Sequence, residues 1–87
     1  MKLFNKKENF CIIADEETVF KVADFVDKYA IGDDTIETAF DGDLVRFKFQ
    51  ARKTGKMMYE MIRKEFENYY IRGKDTVFMI VQKRGVA

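Results

Sequence analysis

The 87 residues contain no proline and no histidine, only one cysteine, and no apolar run approaching membrane-spanning length. Without proline, and without a Gly/Ser-rich or low-complexity tract, nothing marks a linker. A chain of this length can build one compact core and not two, so residues 1–87 are expected to form a single domain. The lone Cys11, inside "FCIIA", excludes an internal disulfide and suits a reducing compartment, which makes the cytoplasm the expected location. The start "MKLFNKKENF" carries cations with no apolar h-region behind them, and no window reaches the roughly 20 apolar residues of a span. Neither a targeting segment nor a membrane partner is therefore expected.

Lack of histidine also removes the commonest general base, and no Ser-Lys or similar pair stands at a recognisable spacing. Carboxylates remain at Asp24 and Asp27, Asp33 and Asp34, and Asp41 and Asp43, but each set is explained by turn chemistry or a solvated surface. No stretch supplies the converging oxygens of a Mg²⁺ or Ca²⁺ site. The chain reads as non-enzymatic, with no cofactor.

Hydrophobic residues make up 47% and include nine Phe and four Tyr, enough for a core and against disorder, while 36% charged residues favour solubility. The net charge of +1 conceals an asymmetry. Residues 1–42 hold five Lys/Arg against ten Asp/Glu, and residues 43–87 hold eleven against five. The second half thereby permits an electropositive surface.

"NFCIIA" (9–14) reads as a short buried strand. In "DEETVFKVADFVDKYAI" (15–31), Val19, Val22, Ala23, Val26 and Ala30 share one helical face, with Asp15, Glu16 and Glu17 expected in the first turn and Gly32 as terminator. "DTIETAF" and "DLVRFKFQA" flank Asp41-Gly42, which favours a type I′ hairpin turn. That register pairs Glu37 with Arg46, and puts Ile36, Val45, Phe47 and Phe49 on one face with Arg46, Lys48 and Gln50 on the other. A second helix fits 54–70, with Thr54 as N-cap and Met58, Ile62, Phe66 and Tyr69 at helical spacing. After a break at "RGKD", the β-formers of "TVFMIV" (76–81) read as the last strand.

The order β-α-β-β-α-β resembles the ferredoxin-like split βαβ architecture. It implies an α+β fold with a four-stranded antiparallel sheet in order 4-1-3-2 and two helices on one face. The RNA-recognition motif uses the same architecture and stacks bases on aromatics of its central strands. "LVRFKFQA" lacks that motif's glycines, and its register turns Phe47 and Phe49 inward, since the alternative would bury Arg46 and Lys48.

The expected order leaves "TVFMIV" at a sheet edge, apolar on both faces and bracketed by Lys74, Asp75, Lys83 and Arg84. With Leu44, Ala39 and either Cys11 and Ile13 or Phe10 and Ile12, it would form an apolar patch on the uncovered face, unless "MKLFN" or the tail folds over it. The expected function is a small regulatory protein that binds a protein or nucleoprotein through Val77, Met79, Val81, Leu44, Arg46 and Lys48, with self-pairing as one form. An inhibitor in the manner of anti-CRISPR proteins is one concrete instance, though no motif carries it. The alternative is nucleic-acid backbone or anion binding by Arg52, Lys53, Lys56, Arg72, Lys74, Lys83 and Arg84.

Overall fold

A computed structural model describes residues 6–82. Strand β1 spans Glu8–Ala14, and its alternation buries Phe10, Ile12 and Ala14 while Cys11 and Ile13 face the other way. Helix α1 spans Val19–Tyr29, with Val22, Phe25 and Val26 buried. The three acids lie in the turn before it and not in its first turn. A 3₁₀ turn, Asp33–Thr35, leads into β2 (Glu37–Asp41) and β3 (Leu44–Ala51). Helix α2 spans Gly55–Glu65, capped by Thr54, whose hydroxyl accepts a bond from the Met57 N–H at 3.1 Å.

The fold departs from the ferredoxin-like expectation after α2. The helix stops at Glu65, and Tyr69–Lys74 form a further strand, β4, hairpinned to β5 (Val77–Gln82). The sheet therefore has five strands in the order β2-β3-β1-β5-β4 and is mixed, with β5 parallel to β1 and the other neighbours antiparallel. "RGKD", which reads as a break, is the end of β4 and the first residue of its turn. Tyr69 continues the helical spacing only because a β4 residue on the covered face also packs against the core. "TVFMIV" is interior, which explains its freedom from charge: both of its edges are paired. The real edges, β2 and β4, carry Glu37, Asp41, Arg72 and Lys74, charges that discourage unwanted strand pairing.

The β2–β3 hairpin also differs in register. Asp41 pairs with Leu44, Glu37 with Lys48 and Ala39 with Arg46, so the two-residue loop is Gly42-Asp43. Gly42 has φ 66° and Asp43 is not left-handed, the type II′ pattern, which wants glycine first. The shift is by two residues, an even number, so every side chain keeps its expected face.

Both helices lie on one face of the sheet, and between them and the strands sits the core, which includes Phe49, Met58, Ile62, Phe66, Phe78 and Ile80. Phe78 stacks on Tyr59 with ring centroids 5.9 Å apart, and it lies over Gly73, its cross-strand partner. A Cβ at position 73 would come within 2.2 Å of the Phe78 ring. On α1, Phe25 meets Phe66 at 5.6 Å and Lys21 lies 5.4 Å from the centre of the same ring, so this flank faces α2. Phe20, the residue before Lys21, points about 100° away around the helix, off that flank, and is 82% exposed.

Among the described residues, the one buried polar side chain in the core is Thr18. Its backbone N–H donates to Asp15 Oδ1 (3.0 Å), and its Oγ1 accepts from the Asp15 N–H (3.1 Å), reciprocal bonds that close the turn before α1. The hydroxyl also lies 2.9 Å from the Ile80 carbonyl, while Asp15 Oδ2 accepts from the Gln82 N–H at 3.1 Å. The turn before α1 thus grips the end of β5.

Two substitutions test this packing. Thr18→Val keeps the volume and removes the hydroxyl, so it should destabilise by about 1–3 kcal/mol, read as a lower urea midpoint with unchanged m. Gly73→Ala should cost about 1–3 kcal/mol through the clash with Phe78, and trimming that ring in Gly73→Ala/Phe78→Leu should cost less than the two single changes combined.

Candidate functional site

Among the described residues, no helix covers the second face of the sheet, and pairing fixes what it presents. Residues directly opposite one another share a face, so the register gives rows running across the strands. One row is Glu37, Lys48, Cys11, Val77 and Lys74, the next Ala39, Arg46, Ile13, Met79 and Arg72. A third holds Asp41 and Leu44 on one side and Val81 and Tyr70 on the other.

Read along the strands, the rows become columns. The adjacent β1 and β5 contribute Cys11, Ile13, Val77, Met79 and Val81, a continuous apolar stripe two strands wide. Arg46 and Lys48 on β3 border one side, and Arg72 and Lys74 on β4 border the other. At about 4.8 Å per strand, the two cationic columns stand roughly 14 Å apart. Val77 is 49% exposed and Tyr70 48%, while Ile13, Met79 and Val81 are half-buried by their neighbours. Beyond the first column, Glu37 and Asp41 make the outer β2 margin acidic.

All six residues expected to bind a partner, Val77, Met79, Val81, Leu44, Arg46 and Lys48, are brought to this one face. They belong to interior strands and not to an edge. Arg72 and Lys74, expected in a separate anion-binding set, join them. Arg52, Lys53 and Lys56 lie elsewhere, at the rim where β3 runs into α2, and Lys56 shares a shallow hollow there with Glu8 and Asp75. That rim is mixed in charge. Lys83 and Arg84 lie outside the described residues.

Sequence reasoning missed β4's contribution, because a helix was expected to run through Tyr69 and Tyr70. The signal was present: "YYI" is rich in β-formers, and two residues, Asp75 and Thr76, separate the strands that meet there. It also missed Phe40, which is 79% exposed on the edge strand, on the helix side of the sheet.

Chemically, the face offers hydrophobic contact bordered by charge-assisted hydrogen bonding from both sides. Among the described residues, no three His, Cys, Asp or Glu side chains converge to hold a metal ion, and no helix is long and apolar enough to cross a membrane. Burial pushes the Cys11 thiol above its ordinary value, while the nearby charges of Arg46 and Lys48 pull it back. Alkylation of Cys11 should therefore be slower in the native protein than in urea at mildly alkaline pH. Lys48→Glu should move the native rate–pH profile further upward, since it removes a charge that favours thiolate.

Compared with protein-family models, with curated proteins and with solved structures, the chain gives no match.

Proposed function

We propose that this is a small non-enzymatic regulatory protein that docks a protein or nucleoprotein partner on its open sheet face and acts by occupying the partner's surface. Inhibition of a nucleoprotein machine, as anti-CRISPR proteins achieve it, is one form of such action. The observation that carries the reading is the apolar stripe between two cationic columns. A stripe built from two adjacent strands, β1 and β5, is larger than scattered exposed side chains, and patches of that kind mark interaction sites. A cytoplasmic setting agrees with its unpaired Cys11.

Pairing of two copies face to face is disfavoured. It would set Arg46, Lys48, Arg72 and Lys74 against the same four cations, and like charges brought together cost several kcal/mol in an interface of this kind. The strand once expected to self-pair has no free edge.

Nucleic-acid binding is the second reading, favoured by those four cations together with Arg52, Lys53 and Lys56 at the rim. The stripe argues against it. Ile13, Val77, Met79 and Val81 are aliphatic and cannot stack bases, and Tyr70 is the one aromatic ring in these rows.

Light scattering across concentration and titration with generic single- and double-stranded oligonucleotides separate the readings. The expected result is a monomer whose oligonucleotide binding is weak and vanishes as salt rises, because only phosphate contacts hold it. Tight binding that survives moderate salt and is lost in Arg46→Glu/Arg72→Glu would make the protein a nucleic-acid binder and overturn the proposal.

A further inference from the structure

The dimensions of the open face narrow the partner further, and the inference rests on the reading just given. We infer that the face receives an acidic amphipathic α-helix, laid along the β1–β5 stripe with its carboxylates reaching both cationic columns.

Width is the first argument. Two adjacent strands give an apolar floor roughly 10 Å across, which matches the diameter of an α-helix with its side chains, about 10–12 Å. An added β-strand would need a free edge, which β1 and β5 do not have. Length is the second. From Cys11 and Val77 to the level of Val81 the floor runs four residues, about 13 Å, or between two and three helical turns. That accommodates apolar anchors at i, i+3 or i+4, and i+7, the spacing by which helices occupy grooves.

Charge is the third argument and the one that names the ligand chemistry. A helix on this floor presents its flanks to Arg46 and Lys48 on one side and to Arg72 and Lys74 on the other. Both flanks must then be acidic. A neutral or basic helix would leave cations facing its flanks without partners, so the columns select by sign while the stripe supplies contact area. A nucleic-acid duplex would use the columns and waste the floor.

The chain's own α1 is a poor occupant. It carries Asp24 and Asp27, with Glu16 and Glu17 in the turn before it, but Phe20 is the one large apolar residue it exposes. A single anchor leaves most of the stripe uncovered.

Selection from a displayed library of helical peptides, randomised on one face, tests the inference with the full chain as target. Enriched sequences should carry apolar residues at i, i+3 or i+4, and i+7 with Asp or Glu on both flanks. A synthetic peptide from that pool should lose about tenfold or more in affinity to Met79→Lys, and similarly to Arg72→Glu, a change on an exposed edge strand that leaves folding intact. Replacing one flank's acids by Lys should restore binding to Arg72→Glu. Enrichment without acidic flanks, or affinity indifferent to Met79→Lys, overturns the inference. If oligonucleotides compete for the face and peptides do not, the helix is wrong while the face remains a binding surface. Peptides whose binding depends on Phe20 and Phe40 would instead sink the reading of the face itself. Binding that appears only after removal of residues 1–5 would make the chain's own terminus the occupant and overturn the inference too.

Discussion

The structure depends on a short polar clasp. Asp15 and Thr18 cap each other and, with the same groups, hold the backbone of β5 at Ile80 and Gln82. At the other end of that seam the Cys11 N–H donates to the Thr76 carbonyl at 2.9 Å. Parallel pairing is the less favourable kind per residue, and β1–β5 is the one parallel neighbour pair in the sheet. Hydrogen bonds at both ends fix what the ladder alone holds less firmly. They fix the open face as well, because Ile13 and Met79 form one stripe only while β1 and β5 stay in register.

The same seam accounts for how burial is distributed. Phe78 and Ile80 fill the core beneath the helices while Val77, Met79 and Val81 reach the opposite surface. One strand thus fills the core with one set of residues and builds the open-face stripe with the other. The charge imbalance of the sequence follows the architecture: Arg46, Lys48, Arg72 and Lys74 come from the cation-rich second half, and the acids of the first half gather around α1 and β2.

Much of the near-neighbour structure was legible in the residues. A hairpin at this place, the inward Val45, Phe47 and Phe49, the outward Arg46 and Lys48 and the Thr54 cap all follow from period and turn chemistry, whereas the turn itself is Gly42-Asp43 and not Asp41-Gly42. "FCIIA" was ambiguous because apolar residues occupy both parities, and only its partners Phe47 and Phe49 decide that Phe10 and Ile12 go inward. The fifth strand was not legible, for two reasons. Tyr69 continued the helical spacing past the true end of α2, and Gly73 looked like a breaker when its bare backbone is a seat for the Phe78 ring. Which strand lies at an edge is settled by a pairing more than sixty residues apart in sequence, and no local pattern encodes that.

The seam between β1 and β5 joins residues 8–14 to residues 77–82. The stripe therefore exists only where two segments more than sixty residues apart in sequence come together, and neither the β2–β3 hairpin nor α1 supplies any part of it. A chain cut before Val77 would keep the Arg46–Lys48 column and β1's Cys11 and Ile13 beside it, but would lose the β5 half of the stripe and, with it, the strand that holds β4 and the Arg72–Lys74 column in the sheet.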